Sequence, residues 1–234
     1  MKRFIRSQRR QAGGPADRAV WQAASLLLCY PDEQLHRRLD IVEELLAHAD
    51  PPAADLLRRT VTALRAADPM AAAVDYVETF DMRRRSTMFL TYWTGGDTRN
   101  RGMQMLAFAT AYREAGAEPP VGEAPDHLPV VLEFAATVDP QAGRRLLLAH
   151  RAPLDVLHRV LSEAGSPYAF AVGAVCETLP AATDQEVQNV SQLMASGAVS
   201  RMDARRDPSN THAPRARRGF RDRLGRPTRF PGSP

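Results

Sequence analysis

Apolar residues recur at helical spacing along most of this chain, and that pattern restricts the possible fold more than any other feature. One stripe joins Leu35, Leu39, Val42 and Leu46, with charged residues between them. A second stripe, over residues 168–179, follows the positions i, i+3, i+4, i+7, i+8 and i+11. Such spacing places the apolar side chains on one face of an α-helix. No alternating pattern of useful strand length is present, so we expect a single all-α helical-bundle domain of eight to ten helices.

Glycine and proline mark where several of these helices begin and end. The turn at Gly95-Gly96-Asp97 breaks the chain before a helix that runs to about Ala115 and stops at Gly116. Apolar residues lie on two sides of that helix, which predicts a central, largely buried position. A later helix over residues 140–163 is expected to be interrupted near Pro153, because proline removes a backbone donor.

Charge divides the chain into three parts. Residues 1–16 carry five Lys/Arg and no acid, residues 17–200 carry 16 Lys/Arg and 24 Asp/Glu, and residues 201–234 carry ten Arg and three Asp. The basic ends lack periodic apolar residues, which is typical of disorder. We therefore predict a basic disordered tail (1–16), an all-helical domain (17–197) and an Arg/Pro-rich disordered tail (198–234).

The motifs of common enzymes are absent from the sequence. It contains no GxxxxGK[ST], HExxH or GxSxG pattern, and Cys29 and Cys176 lack the spacing of a zinc or redox site. No apolar run approaches the length of a membrane span. We expect a soluble, cytoplasmic protein that is not an enzyme and holds no metal. An alternative is a nucleic-acid-associated helical protein that acts through its basic tails, although the acidic body is a poor surface for phosphate.

Residues 76–102 combine aromatic, methionine and arginine side chains at unusual density. Peptide-binding surfaces need this mixture, because apolar groups supply contact area and Arg fixes orientation. Arg83-Arg84-Arg85 fits two interpretations equally, a solvated helix end or a cationic rim. Core burial is the commoner fate of an aromatic run such as 88–93, but the polar tips of Tyr92 and Trp93 make a groove position more credible for them than for Leu90.

Several motifs, in order and spacing, are similar to those of one known family. They are Asp75-Tyr76-Val77, Thr79-Phe80-Asp81, Arg84-Arg85, Leu90-Thr91-Tyr92, Gly96-Asp97-Thr98-Arg99, Arg101-Gly102, Tyr112-Arg113 and Asp126-His127-Leu128-Pro129. Over about residues 17–185 the chain resembles the nitrate reductase molybdenum-cofactor assembly chaperones (the NarJ or delta-subunit family).

The resemblance implies an all-helical fold of the redox-enzyme maturation chaperones (NarJ/TorD/DmsD-like). It implies a system-specific chaperone that binds the N-terminal segment of the apo catalytic (alpha) subunit of a respiratory nitrate reductase. Such a protein supports molybdenum-cofactor insertion and complex assembly before membrane docking. It retains no cofactor and can contact the molybdenum-cofactor delivery machinery transiently. We expect no nucleic-acid partner and no stable insertion into the membrane.

A helix-in-groove mode of peptide binding needs an apolar trough and a few orienting polar groups. The 76–102 segment and the helix after it could supply both. The candidate peptide-binding residues are Tyr76, Asp81, Arg84, Arg85, Tyr92, Trp93, Asp97 and Arg99.

Overall fold

The computed structural model describes residues 13–94, 98–120 and 122–195, and this part of the chain folds into ten α-helices. The predicted all-α class is therefore confirmed. A π-helical turn (Val77–Asp81) and two 3₁₀ turns (Arg84–Ser86 and Leu90–Tyr92) connect α4 to α5. The helices are α1 Pro15–Leu27, α2 Leu35–Leu46, α3 Pro51–Ala66, α4 Pro69–Tyr76, α5 Thr98–Glu114, α6 Leu128–Thr137, α7 Pro140–Ala149, α8 Arg151–Glu163, α9 Tyr168–Glu177 and α10 Asp184–Ala195.

Helix α1 lies at the centre of the bundle and packs against α2, α3, α6 and α9. Trp21 on α1 is fully buried, and its indole N–H donates to the Thr178 hydroxyl at 2.9 Å. Ser25, one turn further, donates to the Pro129 carbonyl of α6 at 2.8 Å. Because buried polar groups must find partners, these two bonds fix α1 against the helices on either side of it.

Helices α6 and α7 approach each other closely at Gly143. A Cβ atom added to this glycine would lie 2.3 Å from the Cβ of Ala135 and 2.4 Å from its Cα. Real Cβ atoms do not come so close, so only glycine permits this separation of the two helices. The short distance positions α7 beside α5, where the two helices border an open groove.

Most of the expected helix boundaries agree with the structure. Helix α5 ends at Glu114, before Gly116, whose φ of +71° is a left-handed conformation suited to glycine. The predicted interruption near Pro153 lies instead at His150, where α7 gives way to α8. Pro153 lies in the first turn of α8, where backbone N–H groups have no hydrogen-bond partner within the helix. The lack of an N–H in proline therefore removes no helical hydrogen bond there.

The predicted basic tails lie largely outside the described residues. The first helix begins at Pro15, two residues before the predicted boundary, and the amide of Gly13 donates to the Asp17 carboxylate at 2.8 Å. The last described residue is Ala195. Within the described residues, no helix has the length and apolar character needed to cross a membrane.

Candidate peptide-binding site

An open apolar groove of about 470 Å³ runs between α5 and α7. We call it the α5/α7 groove. Met103 and Leu106 line it and are 65% and 51% exposed. The α5 residues recur at i, i+3, i+4, i+7, i+8 and i+11, so they form one continuous helix face. The groove is lined by Met103, Leu106, Ala107, Thr110, Ala111 and Glu114 of α5 and by Ala142, Arg145 and Leu146 of α7.

The exposure of this face corrects the expectation that α5 is largely buried. Only the opposite face of the helix is buried, through Phe108 and Tyr112. The sequence shows apolar residues on two sides of α5, which suggested that other helices cover both sides. No described helix covers the outer side. A helix that exposes a continuous apolar face is a candidate for binding a partner.

Two aromatic side chains hold the inner face of α5 in place. The Phe108 ring lies 4.9 Å from the imidazole of His150, and the Tyr112 ring lies 4.5 Å from that of Phe134. The Tyr112 hydroxyl donates to the Pro125 carbonyl at 2.6 Å. Burial raises the pKa of this hydroxyl well above its usual range, so it remains a donor at all physiological pH values.

The turn before α5 is tied to the start of α6 by Asp126. Its buried carboxylate accepts hydrogen bonds from the Thr91 hydroxyl at 2.5 Å and from the Thr91 amide at 3.2 Å. The Leu90 amide donates to the Asp126 carbonyl, and the Leu128 amide to the Met88 carbonyl. The Asp-His-Leu-Pro motif that carried part of the family resemblance therefore has a structural role, which is to hold residues 88–91 against α6.

Arg101, in the first turns of α5, lies over the turn at residues 89–92 on its solvent side. Its guanidinium lies 5.9 Å from the ring centroids of both Phe89 and Tyr92, and its Nε donates to the Thr91 hydroxyl at 3.3 Å. The predicted site residue Tyr92 is half-buried beneath it. A guanidinium over two rings leaves a surface that is partly aromatic and partly cationic.

Two of the predicted site residues, Tyr76 and Trp93, are core residues instead. Trp93 is 1% exposed, and its indole N–H donates to the Thr87 carbonyl at 3.2 Å. Tyr76 is buried among other aromatic rings, and its hydroxyl donates to the Leu28 carbonyl at 3.0 Å. The polar tips that favoured a groove position are used inside the protein, so neither side chain lines an accessible groove.

The structure describes the side chains of only some of the remaining predicted residues. Asp81 and Arg85 are exposed, while Asp97 and the side chains of Arg84 and Arg99 lie outside the described residues. Arg85 borders a second depression of about 250 Å³. We call it the η-turn cavity because the 3₁₀ turn Arg84–Ser86, a short η-type helix, forms part of its rim. It is lined by Thr79, Arg83, Arg85 and Ser86, by Val160 and Leu161 of α8, and by Ala164 directly after that helix.

Residues of the α5/α7 groove were missed by the sequence reasoning. The signal was present in the apolar stripe of Met103, Leu106, Ala107 and Thr110 on α5, but the sequence analysis expected the whole helix to be largely buried. Arg145 and Leu146 come from a helix about 40 residues further along the chain, and nothing local pairs them with Met103. Only the packing of α7 on α6 brings the two halves of the groove together.

Within the described part of the chain, no group of three or more His, Cys, Asp or Glu side chains is arranged to hold a metal. His127 lies 3.3 Å from Glu123 beneath the ring of Phe89. Neither His127 nor Glu133 lines the α5/α7 groove or the η-turn cavity. A substrate in either depression would therefore not meet these two titratable groups.

Glu133 on α6 makes stability depend on pH. Burial raises the pKa of its carboxyl from 4.5 to about 7, because desolvation disfavours the charged form. The native state then binds a proton that the unfolded chain releases, so stability falls as pH rises from about 4.5 to about 7. We expect Glu133→Gln to remove this pH-dependent loss of stability. For a pKa shift of this size, the loss in the free energy of unfolding is roughly 3 kcal/mol.

Urea unfolding at pH 5 and pH 8 measures the effect. The exposed Glu44 supplies a control, since Glu44→Gln should keep the wild-type difference between the two pH values. If wild type and Glu133→Gln lose the same stability between pH 5 and pH 8, another titrating group causes the pH dependence.

Comparison with known proteins identifies the family. Residues 44–173 match the family model described as nitrate reductase delta subunit. The chain is 63% identical over 159 residues to the nitrate reductase-like protein NarX of Mycobacterium tuberculosis, an alignment that covers 68% of this chain and 24% of NarX. The chain thus spans about a quarter of the length of that relative.

Two further relatives are named as assembly chaperones. The probable nitrate reductase molybdenum cofactor assembly chaperone NarJ of Bacillus subtilis is 31% identical over 155 residues, covering 65% of this chain and 84% of that protein. The nitrate reductase molybdenum cofactor assembly chaperone NarJ of Escherichia coli is 31% identical over 169 residues, covering 69% and 70%. The chain belongs to the nitrate reductase delta subunit family.

Proposed function

We propose that this chain is an assembly chaperone for a respiratory nitrate reductase. It binds the N-terminal segment of the apo catalytic subunit and keeps that subunit available for molybdenum-cofactor insertion before membrane docking. The names of the NarJ relatives support the chaperone role. The observation that carries the binding mechanism is the exposed apolar face of α5 in the α5/α7 groove.

The α5/α7 groove suits an amphipathic helix of the client. Met103 and Leu106 are apolar and exposed, and the flexible Met side chain can adapt to different partners. Glu114 of α5 and Arg145 of α7 place opposite charges on the lining of the groove. Opposite charges on one lining favour a single orientation of a bound helix, while the apolar residues supply most of the affinity.

A chaperone of this kind must also release its client. The groove is open to solvent along its length, and a flexible leader loses conformational entropy when it becomes ordered there. Both effects limit the affinity to a moderate value. We infer that release needs no conformational change of the chaperone, because ordering the client already opposes binding.

A second contact is proposed at the η-turn cavity. Val160 and Leu161 are the large apolar side chains of its lining, and Arg83 and Arg85 place cations there. Carboxylate or carbonyl oxygens of the client, next to an apolar side chain, would match this combination. The other exposed or undescribed candidates from the sequence are proposed to contact the same client, namely Asp81, Arg84, Tyr92, Asp97 and Arg99.

The substitution Leu106→Glu tests the groove directly. It places a carboxylate in the centre of the apolar face, and we expect the affinity for the client's N-terminal peptide to fall at least about tenfold, as for a typical interface hot spot. Isothermal titration calorimetry of the purified chain with that peptide measures the change. Because Leu106 is exposed, stability should change by less than about 0.5 kcal/mol.

Val138 provides the matched control. It is also a large exposed apolar residue, 47% accessible, but it lies at the end of α6 outside both depressions. Val138→Glu adds the same charge and should leave the affinity unchanged. Equal weakening by both variants would point to a general charge effect, and no weakening by Leu106→Glu would exclude the groove as the client site.

A further inference from the structure

The helix α4 and the π-helical turn after it present a second uncovered apolar surface, which we call the α4 face. The inner side of this segment is buried through Ala72, Tyr76, Thr79 and Phe80. On the outer side, Met70 and Met82 are 72% and 74% exposed. The exposed residues of the α4 face are Met70, Ala71, Val74, Asp75, Glu78, Asp81 and Met82.

The apolar side chains of the α4 face are interleaved with acids alone. Residues 66–82 contain four Asp/Glu and no Lys or Arg. Asp68 uses its carboxylate to cap α4. Among the described residues, no ion pair involves Asp75, Glu78 or Asp81. The face therefore fits a segment that carries both cations and apolar groups.

This chain contains such a segment. Residues 215–229 carry seven Arg and one Asp, and Phe220 and Leu224 are spaced by four positions among them. We propose that residues 215–229 dock on the α4 face of the same molecule. The arginines pair with Asp75, Glu78 and Asp81, while Phe220 and Leu224 cover the exposed Met70, Val74 and Met82.

The length of the connecting chain permits this contact within one molecule. Nineteen residues separate Ala195, the last described residue, from Arg215. Fully extended, they span up to about 66 Å. A domain of this size is roughly 40 Å across, so any point of its surface lies within reach.

Because residues 215–229 belong to the same chain, even a weak contact is enough to keep them docked on the α4 face. Covalent connection over this length holds the segment at an effective concentration on the order of millimolar. The ion pairs are exposed to solvent, so salt screens them, with a Debye length of about 10 Å at 0.1 M and less at higher concentration. The contact should therefore form at low salt and open as the salt concentration rises.

Photo-cross-linking of the full chain tests the proposal. With Phe220→p-benzoylphenylalanine, irradiation at about 0.05 M salt should give monomeric products in which position 220 is joined to Met70 or Met82. The reagent favours methionine in general, and Met103 of the α5/α7 groove is exposed to a similar extent. Preference for Met70 and Met82 over Met103 therefore reports the contact, and we expect at least a threefold lower yield at about 0.5 M salt, because screening is stronger there.

Charge reversal provides the matched comparison. Asp75→Lys/Glu78→Lys should reduce the cross-link at least threefold, whereas Glu44→Lys/Glu118→Lys, which makes the same charge change at exposed acids elsewhere, should retain it. Equal labelling of Met103, insensitivity to Asp75→Lys/Glu78→Lys, or products found only in cross-linked dimers would each overturn the proposal. The α4 face shares no residue with the α5/α7 groove, so failure of this contact can be distinguished from failure of client binding in that groove.

Discussion

Gly143→Ala should destabilise the protein by about 3 kcal/mol, although alanine is the better helix former. The new methyl group would lie 2.3 Å from the Cβ of Ala135, so α6 and α7 have to separate. Helix propensity favours alanine by only about 0.5–1 kcal/mol, which is too little to offset such overpacking. Urea unfolding followed by circular dichroism measures the difference.

Gly102 allows the same substitution without the clash. It lies inside α5, and a Cβ atom there would meet nothing within 4 Å. Gly102→Ala should therefore stabilise the protein by up to about 1 kcal/mol. Opposite signs at the two positions would demonstrate that helix separation decides the outcome at Gly143. A neutral or stabilising Gly143→Ala would contradict the close approach of α6 and α7.

The close approach at Gly143 also affects the proposed binding site. Ala142, Arg145 and Leu146 of the α5/α7 groove flank this glycine on α7. A shift of α7 away from α6 therefore changes the width of the groove. We expect Gly143→Ala to weaken peptide binding even under conditions where the variant remains folded.

Trp93→Ala should lower the free energy of unfolding by about 3–5 kcal/mol, the usual range for a buried Trp. The side chain is 1% exposed and its N–H is bonded to the Thr87 carbonyl, so removal leaves both a cavity and an unpaired backbone oxygen. Chemical denaturation measures the loss. A surface residue that contacts a client would lose far less stability on truncation.

Trp93→Phe separates the structural role of this residue from a binding role. It retains most of the apolar volume and removes the N–H, so the loss of stability should be smaller than in Trp93→Ala, while peptide affinity remains close to that of wild type. The neighbouring Tyr92 is half-buried and is a proposed client contact, so a substitution of Tyr92 serves as the comparison for peptide affinity. Reduced affinity in Trp93→Phe without reduced stability would restore Trp93 as a client contact.

The helices themselves followed from local sequence. Each depends on side chains three or four residues apart and on capping or breaking residues at its ends, all of which are visible in the chain. The stripe of Leu35, Leu39, Val42 and Leu46 is buried as its spacing predicts. Gly116 ends α5 because its positive φ favours glycine over residues with a Cβ.

The location of the site did not follow from local sequence. Periodicity shows that a helix has an apolar face, but not whether another helix covers it, and the outer face of α5 and the α4 face are both uncovered. Conversely, Trp93 is enclosed because Asp126 holds Thr91 across 35 residues of sequence. Burial depends on such distant contacts, since each one excludes water from a side chain whose neighbours in the chain are unchanged. The sequence alone therefore determined which segments are helical and apolar, while tertiary packing decided which apolar residues became core and which remained open to a partner.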